Sequence, residues 1–411
     1  MRVRIHRGTK EVGGNCIELS SGGKTLLLDM GMPLTAPDPA KVELPLIDGL
    51  MGGNDGFLGI VISHPHFDHY GLIQKAPRDT QIFIGSDAEK ILRAAIPFGS
   101  FGMRFQNVTH YQHRRPFEVG PFQITPFLND HSAFDAYSFL VRSDNKSLFY
   151  TADLRAHGRK SALFDAFLRT APKKIDILLM EGTTIGRENN KETTQTESEL
   201  ENEIVKSLKR TSGLALAYFS AQNIDRFATF FRASKRAGRT FVADLYLAHI
   251  LDALGRKTLP SPRGSDLRVF LPSAMKRKII REKSFELVAP YYSHRIYSEE
   301  IARRAGELTV IFRPSMAADF ENALSGATLF YSLWPGYLER GGFDLKAWCT
   351  AQGIGFEVHH TSGHASISDL KRLVKALQPK RLVPIHSFAT DQFRNFFPNV
   401  QLANDGEWLD I

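Results

Sequence analysis

The sequence predicts an α/β protein in which a second α/β domain is inserted into an outer one. Three observations predict it. Short apolar runs in the first part of the chain end in an acid or a histidine, as in KTLLLDMG and LGIVIS followed by HPHFDH. From about Asn189 the texture changes to strand–helix alternation, which implies a parallel layer. After that stretch, GFEVHHTSGHAS, DLKRLVKAL and KRLVPIHSF return to the first texture, with histidines again at strand ends. The expected spans are 1–195 and 353–411 for the outer domain and 196–352 for the insert.

Each element follows from local pattern. RVRIH alternates and CIEL lies between the turn signals EVGGN and SSGGK. KTLLLDMG is a buried strand that ends at Asp29, and QIFIGS leads into the helical DAEKILRAA. FQITPFL, YSFLVR and KSLFYTAD alternate again, and DILLMEGTT is a buried strand that ends in an acid. In the middle section Leu200, Ile204 and Leu208 recur at helical spacing, GLALAYFS reads as a strand, and NIDRFATFFRASKRAG reads as an amphipathic helix stopped by glycine. TFVADLYLAHILDAL reads as strand, then helix.

Composition bounds the chemistry. At 411 residues, 43% hydrophobic and 23% charged, the chain can build an ordinary core. The formal charge of +8 favours an acidic partner, nucleic acid first. Between Glu199 and Thr350 there are 23 Lys+Arg against 16 Asp+Glu, so nearly all of the excess lies in the insert. Cys16 and Cys349 are far apart and outside any CxxC pair, which predicts free thiols in a reducing compartment. MRVRIHRGTKEVGGNC has no apolar h-region and no run of about 18 apolar residues exists, so a cytoplasmic protein with no membrane span is expected.

HPHFDHYG, residues 64–71, packs three histidines and an aspartate into six positions. In an extended segment residues two apart project to one side, so His64 and His66 can grip one metal, while Asp68 and His69 can reach a second. Imidazole and carboxylate ligands without cysteine suit a catalytic zinc site. Two such ions about 3.5–4 Å apart can share a hydroxide and clamp an in-line displacement at phosphorus. The missing ligands are sought at strand ends: His131 in NDHS, Asp153 in YTADLR and His386 in PIHS, with Asp153 suited to bridging.

HxHxDH with strand-end Asp29, His131, Asp153 and His386 resembles the metallo-β-lactamase superfamily. GLALAYFSAQNIDRFATFFRASKRAGRTFVADLYLAHIL resembles the β-CASP insert of its nucleic-acid-processing members. The three β-CASP motifs are matched by Glu181 in LLMEGTT, His364 in HHTSGHAS and His386, the last being histidine in the RNA-processing branch. Ala152 and Ser387 stand where relatives often have glycine. The resemblance implies an αββα sandwich with an inserted β-CASP domain. It implies one zinc on His64, His66 and His131, another on Asp68, His69 and His386, and Asp153 between them, with manganese as a substitute. It makes Asp29 the residue that orients a ligand histidine, and Asp68, His364 and Glu181 the catalytic residues, with His364 over the scissile phosphate. Ser362 and Gly363 would contact substrate.

The function implied is a zinc-dependent ribonuclease that attacks RNA phosphodiesters with a metal-bridged hydroxide and leaves a 5′-phosphate, in endonucleolytic or 5′–3′ exonucleolytic mode. The partner implied is single-stranded RNA, and a homodimer is admissible. The alternatives are a DNA nuclease, a thioester or lactam hydrolase on the same core, and a metal-free RNA-binding module. His110, His113, His359 and His360 read as surface or strand-end residues. KRKIIREK, 276–283, divides between phosphate contact and a solvated face, and Tyr291, Tyr292 and Tyr297 read mainly as packing.

Overall fold

The computed structural model describes all residues except 53–54, 100, 188–193 and 340–341; the change of texture at Asn189 lies outside the described residues. Two compact units result: Met1–Arg93, Met103–Thr194 and Gly363–Ile411 form the first, and Ala94–Gly102 with Gln195–Ser362 the second. In chain order the first unit begins with β1 (Arg2–Arg7), β2 (Cys16–Ser21), β3 (Lys24–Met30), β4 (Phe57–Val61), β5 (Gln81–Gly85) and β6 (Asn107–Tyr111). It continues with β7 (Phe117–Val119), β8 (Phe122–Leu128), β9 (Tyr137–Ser143), β10 (Lys146–Tyr150) and β11 (Ile177–Glu181). The second unit holds β12 (Ala215–Tyr218), β13 (Thr240–Asp244), β14 (Leu267–Phe270), β15 (Arg295–Ile296), β16 (Leu308–Ile311), β17 (Thr328–Tyr331) and β18 (Gly355–Val358). β19 (Arg381–Ile385) and β20 (Trp408–Asp410) return to the first unit.

The first unit contains two mixed sheets, ordered β20-β1-β2-β3-β4-β5-β6 and β19-β11-β10-β9-β8-β7. One hydrophobic cluster draws on both, with Leu26, Leu28 and Val61 from the first and Phe122, Phe139, Leu148, Ile177 and Val383 from the second. Residues one step along point the other way, as strand geometry requires. Leu27, Ile60 and Ile82 join Leu92 of the helix Ser86–Ala95. Phe149, Leu178 and Leu382 join Phe164, Leu370 and Leu373 of the helices Ser161–Thr170 and Ile367–Leu377. A strand covered on both faces must be apolar on both, which is why TLLL and ILLM run unbroken.

Both sheets change direction partway across. β3, β4, β5 and β6 run parallel, and so do β10, β11 and β19. Parallel neighbours end on the same edge, so residues distant in sequence meet there. That edge carries the candidate site.

The second unit is one parallel sheet, ordered β15-β14-β13-β16-β12-β17-β18. Its end lies later than the expected position 352. β18 pairs in parallel with β17, Thr328 opposite Gly355 through Tyr331 opposite Val358, and Phe356 stacks on Tyr331 at 6.1 Å. A short edge strand takes its place from pairing, which local pattern does not encode. Cys16 and Cys349 are buried free thiols. Among the described residues no helix is long and apolar enough to cross a membrane.

Candidate metal centre

His64 lies in the bend that follows β4, and His66, in extended backbone (φ −93°, ψ 141°), opens the single helical turn Phe67–Tyr70. The turn carries Asp68 and His69. Asp153 lies three residues past β10, Glu181 ends β11, and His386 follows β19. These three parallel strands are neighbours, so their carboxyl ends deliver Asp153, Glu181 and His386 side by side. His131 comes from the loop after β8. That loop is tied to Asp153's: the Arg155 amide donates to the Asp130 carbonyl at 2.7 Å, and the Arg155 guanidinium pairs with the Asp130 carboxylate at 3.3 Å.

Two groups of donor atoms converge, His64, His66, His131 and Asp153 in one, Asp68, His69, Asp153 and His386 in the other, all within 4.8 Å of one another inside each group. Asp153 belongs to both. Its Oδ2 lies 3.3 Å from His69 Nε2, 3.7 Å from His386 Nε2 and 3.8 Å from both His64 Nε2 and His131 Nε2. Such separations suit donors placed round a common ion about 2.0–2.2 Å from each. His64 Nε2, His69 Nε2, His386 Nε2 and Asp153 Oδ1 are all buried without a hydrogen-bond partner. Four orphaned buried polar atoms in one place are costly, and a cation satisfies all of them at once.

The other ring nitrogens are occupied. Asp29 Oδ2 lies 2.8 Å from His69 Nδ1 and accepts from the Ser63 hydroxyl at 2.7 Å and the Tyr150 hydroxyl at 2.6 Å, while its Oδ1 accepts from the Ser63 amide at 2.6 Å. A carboxylate so held fixes the His69 tautomer with Nε2 toward Asp153. His131 Nδ1 donates to the Gly363 carbonyl at 2.6 Å, and His386 Nδ1 sits 3.1 Å from Asn15 Oδ1. Asn15 also donates to the Tyr150 hydroxyl at 3.2 Å, which links His386 to Asp29. Asn15, Ser63, Tyr150 and Arg155 escaped the sequence reading; none is a metal-ligand type in a motif. Of them only Ser63, beside His64, carried a positional hint.

Backbone strain collects here. Asp29, Ala152 and His386 have φ of 59°, 46° and 51°, in the left-handed region that costs non-glycine residues energy. Ala152 is one of the two positions where glycine was the familial expectation. Gly31 shows the opposite need: a Cβ there would lie 1.6 Å from the Asp68 carbonyl oxygen, so only glycine lets β3's exit pass the ligand turn.

His364 stands beside both groups, its Nδ1 3.3 Å from Glu181 Oε2 and 3.9 Å from Asp153 Oδ2. Glu181 is buried and accepts from the Thr183 and Ala365 amides at 3.1 and 3.3 Å. Gly363 is at the site through its carbonyl, which holds His131. Ser362 falls within the second unit's span. His359 is a strand-end residue paired with Glu357 at 2.8 Å, and His110 pairs with Glu89 at 2.7 Å. His113 accepts from the Leu128 amide at 2.9 Å. Tyr291 is buried, whereas Tyr292 and Tyr297 are exposed.

Burial, reinforced by His69 and His131, holds His64 well below the usual histidine range; burial with His66 does the same to His131. Neutral imidazole is the form that binds a cation. Burial works against a charge on His69 too, but Asp153 and Asp29 outweigh it and raise its pKa well above the usual value. Asp153 is opposed by burial, yet His386 and His69 hold it well below the carboxylate range. For His364, burial is outweighed by Glu181 and Asp153, and the pKa is raised.

A model described as the beta-lactamase superfamily domain matches residues 47–213, and one described as the Zn-dependent metallo-hydrolase RNA specificity domain matches residues 356–389. Ribonuclease J of Corynebacterium glutamicum is 23% identical over 98% of this chain and 55% of its own length. Ribonuclease J of Helicobacter pylori is 20% identical over 98% of this chain and 60% of its own. The chain thus spans little more than half the length of these curated relatives. An RNase J-like protein of Methanocaldococcus jannaschii is 25% identical over 44% of this chain and 42% of its own. A crystal structure of a protein of unknown function from Enterococcus faecalis superposes with a TM-score of 0.76 over 99% of both chains at 21% identity, a likeness of fold.

Proposed function

The chain belongs to the metallo-β-lactamase superfamily, carries its RNA-specificity domain and is homologous to the ribonuclease J and β-CASP nucleases, and from that premise we propose that it is a zinc-dependent ribonuclease acting on single-stranded RNA. In this reading the two sheets with their flanking helices are an αββα sandwich and the parallel unit is a β-CASP insert. The observation that carries the proposal is the pair of His/Asp groups sharing Asp153, with the His364–Glu181 pair beside them. One cation would be held by His64, His66, His131 and Asp153, the other by Asp68, His69, His386 and Asp153. When bound, such a pair supplies Lewis acidity to the phosphoryl oxygens and makes water acidic enough to react at neutral pH. Histidine-rich ligand sets with one or two carboxylates favour zinc, and manganese can replace it.

The remaining work falls to the protein. Asp29, Asn15 and the Gly363 carbonyl hold three ligand rings in one tautomer and orientation, so the site needs little reorganisation. Glu181 pairs with the Nδ1 side of His364, and the protonated imidazole beside the centre delivers a proton to the 3′ oxygen as its bond to phosphorus breaks. Water oxygen enters at phosphorus, and the products are a 3′-hydroxyl and a 5′-phosphate.

The test is cleavage of single-stranded RNA in 5′-monophosphate, 5′-triphosphate and circular forms, with His64→Ala as control and with DNA and a chromogenic lactam as parallel substrates. Cleavage of RNA that the mutation abolishes supports the reading. Turnover of DNA or lactam alone overturns it. Cleavage of the circle marks an endonuclease, and nucleotide release from the monophosphate alone marks a 5′–3′ exonuclease.

A further inference from the structure

The second unit's sheet contains two places where adjacent strands send their onward connections to opposite edges. β13 leads to β14 on one side while its neighbour β16 leads to β17 on the other; β12 leads to β13 while its neighbour β17 leads to β18. Diverging connections leave a crevice at the carboxyl ends of the strands, which is where parallel α/β sheets bind ligands.

An arginine stands near the strand ends at each of these places, and the two differ. At β12/β17 it is Arg226, 1% exposed. Its Nε and Nη2 bond Glu197 at 3.3 and 3.1 Å, its Nη1 bonds the Ser332 hydroxyl at 2.6 Å and carbonyl at 2.9 Å, and Nη2 also reaches the Thr361 carbonyl at 3.3 Å. Every nitrogen is used, so this crevice is plugged. At β13/β16 it is Arg313, whose side chain is 24% exposed. Its Nε donates to Asp244 Oδ2 at 2.6 Å. Asp244 is itself fixed, because its Oδ1 caps the helix Leu245–Leu254 through the Leu247 amide at 2.8 Å. Nη2 is buried with no hydrogen-bond partner, and neither Nη atom has one among the described residues. The guanidinium lies 5.4 Å from the centre of the Tyr246 ring, whose hydroxyl accepts from Gln222 at 2.9 Å. Tyr218, half-buried at the end of β12, packs edge-on against Phe312.

A guanidinium pinned at Nε by a capped carboxylate, partly exposed and with a buried Nη2 that spends no hydrogen bond on the protein, is pre-set at this strand end to take an oxyanion. We propose that this crevice is a phosphate subsite of the second unit, in which Arg313 takes an internal phosphodiester of the RNA substrate. The assignment rests on the ribonuclease reading above. Arg313 is a binding residue here, and the chemistry of cleavage does not pass through it.

The experiment is fluorescence anisotropy of a labelled 12-nucleotide single-stranded RNA, over a salt series, with EDTA present to stop cleavage. Wild type is compared with Arg313→Gln and Arg313→Lys, with melting temperature measured alongside. The expected result is an affinity loss of about 10-fold in Arg313→Gln and a smaller loss in Arg313→Lys. The salt dependence should be shallower by about 0.7 for the Gln variant, the share of one phosphate contact on a single strand. With metal restored, KM should rise while kcat holds. Unchanged affinity and slope in both variants, in a protein whose wild type binds RNA, overturns the subsite and leaves the ribonuclease reading standing. Weaker binding with an unchanged slope and a lower melting temperature assigns Arg313 to the fold and also overturns it. If the Gln variant does not fold, the Lys variant decides by affinity, since a point charge keeps the salt term and loses the fork: weaker RNA binding at an unchanged melting temperature supports the subsite, and unchanged affinity overturns it. Arg313-dependent binding of free AMP with Arg313-independent binding of RNA moves the ligand to a free nucleotide and overturns the RNA assignment. No RNA binding by wild type removes the premise together with the proposal.

Discussion

The two units put polar groups at strand ends in opposite ways. In the first, the carboxyl ends of β4, β10, β11 and β19 bring histidines and aspartates together, and several of their atoms are buried without partners. In the second, two buried guanidinium groups are closed on the protein itself, and Arg226 is one, held by Glu197, Ser332 and Thr361. Arg239 is the same, since its guanidinium donates to the carbonyls of Leu208, Thr211, Gly213 and Leu308. The difference teaches how to tell a buried charge that serves the fold from one that serves a ligand. A structural charge spends its hydrogen-bonding capacity inside the protein. A functional one is held firmly at one atom and left open at another, as His69, His386 and Arg313 are.

The sharpest way to break the comparison is Asp153→Ala. The shared position should lose both cations and bring cleavage to background, as elemental analysis beside an RNA assay would register; retention of a full metal complement would disprove the sharing. Next is His364→Ala, expected to lower kcat by about 10²–10⁴-fold with metal content unchanged. Loss of metal in that variant would make His364 a ligand instead. Asp29→Asn should weaken metal binding by roughly 10–100-fold, read by competition with a chromogenic chelator, because His69 loses the partner that fixes its tautomer.

The second unit sharpens the contrast through stability. Arg226→Ala strands a buried Glu197 and should cost about 3–5 kcal/mol in denaturant unfolding. Arg313→Lys should cost far less, and equal costs would erase the distinction drawn between the two crevices. The smallest effect concerns Glu18, outside both sites. Burial would raise its pKa, but hydrogen bonds from His6 and Arg4 outweigh burial and hold it below the usual value. A depressed carboxylate stabilises above its unfolded pKa, and that contribution disappears as pH falls through the folded one. Glu18→Gln should therefore flatten the acid limb of a melting-temperature profile below about pH 4.5, the unfolded range, and leave the neutral region lower.

Much of the centre was legible in the sequence, for a physical reason. His64, His66, Asp68 and His69 are adjacent, and costly side chains crowded after a buried strand have few uses apart from a metal. Asp153, Glu181 and His386 could be nominated because each ends an apolar run. Asn15, Tyr150 and Arg155 could not, since a carboxamide, a phenol and a guanidinium become part of a site only through what they touch. The edge strand β18 was misassigned for the same reason.

By itself, the sequence determined which segments are strands covered on both faces, that an α/β unit interrupts another, and that ligand-type residues stand at the strand ends. These are local quantities, set by periodicity and side-chain chemistry. The tertiary structure alone decided that Asp153 belongs to both ligand groups, that Asp29 serves His69, and that Arg226 is closed while Arg313 is open. Those facts depend on which parallel strands lie side by side, and pairing between residues hundreds of positions apart is a property of the whole fold.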